Sequence, residues 1–180
     1  MNEQKKILRQ TIRTAKKAVP FREKLVRSAS IMQEVENLDV FRDATVVLLY
    51  WSMDDEVQTH DFVEKWYKGK TILLPCVDGD TLRLRRYTGA NSMHAGEQFG
   101  IAEPIGDEFT DLDKIDVIIV PGVAFDHAGH RMGRGRGFYD RLLRTTPQAF
   151  KIGVAFDFQM VPLVPTEPHD VKMDKVISEF

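Results

Sequence analysis

The sequence predicts an open α/β layer fold built on a mostly parallel sheet. Two apolar runs, at 45–51 and 116–121, are continuous rather than alternating, the pattern of strands buried on both faces in a parallel sheet. Segments of helical periodicity separate the strand-like runs, as crossover connections require. Hydrophobic residues are 43% and charged residues 29% of a 180-residue chain. That is an ordinary globular composition at the length of one domain, so a single domain is expected over 1–180.

The elements follow in order. Residues 3–18 have helical spacing, with Ile7, Leu8, Ile12 and Ala15 on one face. Pro20 breaks that pattern and can open a second helix at its first turn. This second helix runs to about Asn37, with Leu25, Ala29, Met32 and Val35 or Glu36 on successive turns. The strand at 45–51 comes next. A helix at 59–67, ended by Gly69, and a strand at 70–74 complete a β-α-β unit. Asp78-Gly79-Asp80 reads as a hairpin turn before a strand at 81–87. Residues 88–114 carry glycines and acids and read as an irregular surface segment. The strand at 116–121 leads through a Gly-rich loop to a helix at 138–144 and a strand at 151–155. Val161 and residues 175–178 are candidates for the last short strands. Right-handed crossovers would gather the loops at the carboxyl ends of the strands, where such folds bind ligands.

Composition excludes several function classes. The formal net charge is −2, so there is no global basic field to hold nucleic acid or an anionic membrane. The single cysteine, Cys76, allows neither an internal disulfide framework nor a Cys-rich zinc site. It reads as a small core or loop residue at a strand end. His60, His94, His127 and His130 show no zinc-ligand spacing. The opening Met1-Asn2-Glu3-Gln4-Lys5-Lys6 lacks the apolar region of a signal peptide. The apolar runs are strand-sized, far below the ~20 residues that span a bilayer. The expectation is a cytoplasmic protein acting on small molecules, monomeric, without nucleic-acid or membrane partners.

The strongest local signal is Pro121-Gly122-Val123-Ala124-Phe125-Asp126, followed by Arg131-Met132-Gly133-Arg134-Gly135-Arg136-Gly137-Phe138-Tyr139-Asp140. A buried strand feeds a loop in which three glycines alternate with two arginines just before a helix. Glycine admits close backbone approach and positive φ. Consecutive amides before a helix favour phosphate, and Arg134 and Arg136 add charge of suitable geometry. Asp140, early in the helix, could hold a metal bridging phosphates. The segment is neither a Gly-x-x-x-x-Gly-Lys-Ser/Thr loop nor a sound dinucleotide fingerprint. One short Arg-Gly segment in a slightly acidic chain is also poor RNA-binding material.

Other residues are weaker singly. Lys5 and Arg9 share a helix face, as a solvated basic stripe or as a phosphate clamp. Asp54-Asp55-Glu56 follows the strand ending at Trp51, either as a turn or as a site at a strand's carboxyl end. Trp51 and Met53 could wall a flat ring or fill the core. His169-Asp170 follows Pro165 and Pro168, and a metal role there would need Asp170 to approach Asp140.

Taken together these segments resemble the 5-formyltetrahydrofolate cyclo-ligase family, nearly end to end. The resemblance is carried by Lys5-Lys6-Ile7-Leu8-Arg9, by Trp51 through Glu56-Val57-Gln58-Thr59, by Gly100-Ile101-Ala102-Glu103-Pro104, by the long Arg-Gly signature, and by Pro168-His169-Asp170 with Asp174-Lys175-Val176-Ile177. It implies a three-layer α/β/α sandwich of the sugar-phosphate isomerase and CoA transferase kind. It also implies ATP- and Mg²⁺-dependent cyclisation of 5-formyltetrahydrofolate. By the same resemblance, Lys5, Arg9, Arg131, Gly133, Arg134, Gly135, Arg136, Gly137, Phe138 and Tyr139 would contact ATP. Arg134 and Arg136 would be catalytic. Trp51, Glu56 and the run from Arg134 to Phe138 would border the folate, and Asp140 and Asp170 would hold Mg²⁺. Phe138 stands where many relatives have Tyr, Arg136 where others often have Gly or Lys, and 126–130 is less basic than usual. Two alternatives are a non-catalytic folate or nucleotide binder and a sugar-phosphate isomerase-like enzyme with Glu56 as general base.

Overall fold

A computed structural model describes residues 2–95 and 102–179. Its centre is a six-stranded sheet in the order β3-β2-β1-β6-β9-β10. The parallel strands are β1 (Val46–Leu48), β2 (Thr71–Asp78), β6 (Val117–Val120), β9 (Phe150–Ala155) and β10 (Lys175–Ser178), and β3 (Thr81–Arg86) runs antiparallel along β2. Val47 sits in register with Ile72 on one side and Val117 on the other. All four residues of β6 are buried, as its unbroken apolar sequence requires.

Alternation along the strands builds three layers. Val47, Leu49, Ile72, Leu74, Val117 and Ile119 face one cluster, where helices α2 (Phe21–Glu36), α3 (Asp39–Asp43) and α4 (His60–Trp66) pack through Ile31, Phe41 and Val63. Leu48, Leu73, Ile118 and Val120 face the opposite cluster, covered by Leu142 and Leu143 of α5 (Phe138–Arg144). Helix α1 (Asn2–Lys17) lies apart from both, packing Ile12 against Ala124, Met132 and Val164. It thereby covers a small hairpin, β7 (Ala124–Phe125) with β8 (Arg131–Met132).

On α1 the apolar spacing holds at Leu8, Ile12 and Ala15 and fails at Ile7, and on α2 it fails at Leu25 and Ala29. Ile7 is 59% exposed, and the buried positions of α1 are Ile12 and Lys16. On α2, Leu25 and Ala29 face outward, while Lys24, Ser28, Ile31, Met32 and Val35 face inward. The reason is hydrogen bonding. Lys24 Nζ donates to the carbonyls of Lys16 and Val19 at the end of α1, and Ser28 Oγ accepts from the amide of Gln58. Buried polar groups with partners displace two apolar side chains to the surface.

Other differences are local. Strand β2 continues past Leu74 through Pro75 to Asp78, because β3 pairs along this whole stretch. Helix α3 has no apolar period of its own and is held by Lys70, whose ammonium donates to the carbonyls of Phe41, Arg42 and Ala44. The segment expected to be irregular contains β4 (Met93–Ala95) and β5 (Ala102–Pro104), paired antiparallel. Gly100 and Ile101 lie outside the described residues. Val161 forms no strand, although its amide donates to the Phe125 carbonyl. Among the described residues, no helix is long and apolar enough to cross a membrane.

Candidate active site

Strand β1 leads to β2 on one side of the sheet, and β6 leads to β9 on the other. The chain therefore diverges between β1 and β6, and a crevice opens outside their carboxyl ends. Two segments emerge there. Residues 50–58 leave β1, and Pro121-Gly122 leaves β6 towards the β7–β8 hairpin and the glycine loop.

The loop is built by glycines that no other residue replaces without strain. Gly135 has φ 105° and Gly137 φ 72°, values disfavoured for residues with a Cβ. Arg131 is buried beneath the loop. Its Nε donates to the Pro121 carbonyl at 2.6 Å, and its guanidinium lies 5.2 Å from the centre of the Tyr139 ring. Burial lowers the Arg131 pKa, against the fields of Asp140, Tyr139, Asp170 and Glu56. Arg9 Nε reaches from α1 to the Gly133 carbonyl at 3.1 Å, so α1 and the loop are fastened together. Arg134 and Arg136 point outward from the loop and are exposed, Arg136 stacking 5.2 Å from the Phe138 ring.

The opposite wall is the turn after β1. Thr59 and Ser52 exchange hydrogen bonds, Thr59 Oγ1 also donates to the Tyr50 carbonyl, and Gln58 Nε2 donates to the carbonyls of Met53 and Glu56. This bracing fixes the Glu56 carboxyl. Its Oε1 accepts the Met53 amide at 2.8 Å, and its Oε2 lies 3.9 Å from Arg134. Burial raises the Glu56 pKa, and the Met53 amide and Arg134 offset this only in part. Trp51 is half-buried, stacked on His60 at 3.8 Å between ring centres.

The third wall joins α1 to the chain between β9 and β10. Lys5 Nζ lies 3.6 Å from Glu167 and 4.0 Å from Asp170. Glu167, His169 and Asp170 each offer a ligand atom, all within 4.8 Å of one another. Asp140 reaches this wall from α5, its Oδ1 accepting the Val171 amide at 3.4 Å. Asp140 thus reaches the residue next to Asp170, although the tight cluster is Glu167, His169 and Asp170.

One cavity of about 470 Å³ connects all three walls. Asp54 and Asp55 of the acidic turn do not line it, whereas the residues that the family resemblance gives a binding role do, from Lys5 and Arg9 through Trp51 and Glu56 to Arg131–Asp140 and Asp170. So do Asn2, Tyr50, Pro75, Leu82 and Glu167. The sequence offered a signal for Glu167 alone among these, since it stands three residues before Asp170 in a Pro-punctuated loop. Cys76 lies outside this cavity and is buried, its thiol pushed up to about 11 by desolvation.

A switch-point crevice with a cationic glycine loop on one side and an acid beside an aromatic wall on the other defines an α/β protein with room for an anionic ligand next to a flat one. The chain belongs to the 5-formyltetrahydrofolate cyclo-ligase family, whose sequence profile matches residues 1–179. It is 34% identical to the 5-formyltetrahydrofolate cyclo-ligase of Haemophilus influenzae, over 82% of this chain and 83% of that protein. With the mouse 5-formyltetrahydrofolate cyclo-ligase it shares 27% identity over 99% and 95% of the two chains. The solved structure of Aquifex aeolicus 5,10-methenyltetrahydrofolate synthetase superimposes with a TM-score of 0.86 at 31% identity, covering 97% of this chain and 89% of that one.

Proposed function

We propose that the chain catalyses the ATP- and Mg²⁺-dependent cyclisation of 5-formyltetrahydrofolate to 5,10-methenyltetrahydrofolate, with release of ADP and phosphate. The carrying observation is the continuity of one cavity from the Arg-Gly loop to Glu56 and Trp51. A triphosphate and a pterin can therefore meet in one space.

The formyl oxygen attacks the γ-phosphorus as ADP leaves, giving an iminium phosphate. N10 then attacks the activated carbon, loses its proton, and the carbon–oxygen bond breaks to release phosphate. The protein has little covalent work in such a reaction and acts by positioning and charge stabilisation. Lys5 and Arg9 orient the triphosphate from α1. Arg131 holds the loop from below, while the amides of Gly133, Gly135 and Gly137 approach the phosphates and Phe138 and Tyr139 close the loop's far end. Arg134 and Arg136 offset charge on the transferred group. Glu56 accepts N–H groups of the pterin, and Trp51 packs beside its ring.

Asp140 and Asp170 would hold Mg²⁺. The donor set fits a hard cation, which takes one or two carboxylates and completes its shell with phosphate oxygens and water. When bound, the ion neutralises charge on those oxygens. The proposal includes a monomeric, single-domain enzyme working in the cytoplasm, which gel filtration and cell fractionation check. The decisive test is growth of the methenyl absorbance with purified protein, 5-formyltetrahydrofolate, Mg²⁺ and ATP, against controls lacking ATP or containing a chelator. Growth that needs both supports the assignment. Folate binding without turnover would make the chain a binder, and turnover of a sugar phosphate without ATP would make it an isomerase.

A further inference from the structure

We propose that Asp55, braced from behind by Lys16, is a positioning residue that holds Arg134 off Glu56 and so keeps the pterin acceptor open. This rests on the reading of Glu56 as the folate contact.

Four charges of alternating sign, Lys16, Asp55, Arg134 and Glu56, run from α1 to the cavity wall. Lys16 Nζ on α1 lies 3.5 Å from Asp55 Oδ2. Arg134 Nη2 lies 3.3 Å from Asp55 Oδ1 and 3.5 Å from Oδ2, but 3.9 Å from Glu56 Oε2. Asp55 and Glu56 are adjacent in sequence, so one guanidinium is within reach of both, and the structure places it on Asp55.

The two carboxylates differ in what they have to spare. Glu56 Oε1 is committed to the Met53 amide, leaving Oε2 as the oxygen that can take a pterin N–H. A guanidinium seated on Oε2 would compete directly for that position. Asp55 prevents this by offering both oxygens to Arg134.

Lys16 explains why Asp55 stays in place although its side chain is 44% exposed. The Lys16 side chain is only 8% exposed, and Asp55 is its carboxylate partner. An ammonium buried this deeply holds its counter-ion firmly, because separating them leaves a desolvated charge. Burial lowers the Lys16 pKa, and Asp55 opposes that shift. Asp55 is therefore tied to a buried partner, while Arg134 reaches it from an exposed loop.

The test is Asp55→Asn, examined beside the double variant Lys16→Met/Asp55→Asn, which removes both charges and leaves no orphaned buried ammonium. Steady-state kinetics should show the folate KM raised about fivefold, the change a half-exposed ion pair can supply. The ATP KM should stay within about twofold and kcat within about threefold, because bound pterin displaces Arg134 and restores the productive arrangement. Asp55→Glu should recover most of the folate affinity. With ¹⁵N-labelled arginine, the guanidinium resonances that vanish in Arg134→Ala should shift in both Asp55→Asn proteins before any substrate is added. A rise in both KM values together, a fall in kcat alone, or unmoved Arg134 resonances would each overturn the proposal. Wild-type protein that fails to turn over folate would refute the assigned reaction instead, and the resonance shift would still decide where Arg134 rests.

Discussion

Replacing Arg134 by alanine separates the fold from the chemistry. In the free protein Arg134 has two acidic neighbours, Asp55 at 3.3 Å and Glu56 at 3.9 Å. Its side chain is 49% exposed and that of Asp55 44%, so solvent screens the pair and its worth is ~0–1 kcal/mol. The loss is at the low end, because Arg134 also repels Lys16, and that repulsion disappears with it. Stability should fall by less than ~1 kcal/mol, about 2–4 °C in melting temperature at most for a chain of this size. Transition-state charge is a different matter. A donor lost from a preorganised site that stabilises developing charge lowers kcat by ~10²–10³, equivalent to ~2.7–4 kcal/mol. Arg134→Lys keeps the charge but not the planar fork, and should fall between wild type and alanine. The assay is initial-rate methenyl formation at saturating ATP and folate, with thermal melts of the same preparations. A kcat within about twofold of wild type would refute the role given to Arg134. A melting temperature lowered by much more than the ion pair allows would show that the arginine holds the loop rather than the phosphate.

Glu56→Gln should weaken folate binding and flatten its acid limb. Ionised Glu56 is the acceptor, so the wild-type folate kcat/KM should fall as pH drops towards the raised Glu56 pKa, and the Gln variant should lose that dependence. The stability effect has the opposite sense. A carboxyl whose folded pKa is raised by burial destabilises the fold once ionised, so chemical denaturation should find Glu56→Gln more stable near pH 8 and the gain gone below the ordinary carboxylate range. Gly153→Ala should destabilise by ~1–3 kcal/mol, since an added Cβ would meet the Phe125 ring at 2.5 Å; an unchanged urea midpoint would contradict it. Asp126 should matter in acid. Burial raises its pKa, but the Val164 amide, the His130 ring and the His130 amide outweigh this and leave it below the usual carboxylate value. The stability it confers is present above that usual value and disappears as pH falls through the lowered one. Asp126→Asn should therefore lower the melting temperature at pH 7 and converge with wild type at low pH.

Much of the site was legible in the sequence because its parts are contiguous. The glycine–arginine loop announces itself through residue types whose φ values and charges have few other uses, and Gly135 and Gly137 do adopt positive φ. The continuous apolar run of β6 dictated burial on both faces, and that burial places its end inside the crevice. Lys5 and Arg9 were ambiguous, since a basic helix face is usually solvated. Lys16 was invisible, although it stands two turns beyond Arg9 on the same stripe, because nothing local distinguishes a buried lysine from an exposed one. Leu25 and Ala29 misled for the converse reason. Their spacing is helical and apolar, but the inward face of α2 belongs to Lys24 and Ser28, whose partners come from other elements.

The sequence by itself determined the main helices and sheet strands, the parallel core and the chemical character of the loop, though not α3 or the β4–β5 pair, because periodicity, glycine and charge act within a few residues. Tertiary structure decided which charges meet. Arg9 finds Gly133 across 124 residues and Arg134 finds Asp55 across 79. Such pairings depend on strand order and on how α1 lies over the β7–β8 hairpin. Both are set by where apolar surface is buried across the whole chain, a non-local sum that no short segment contains.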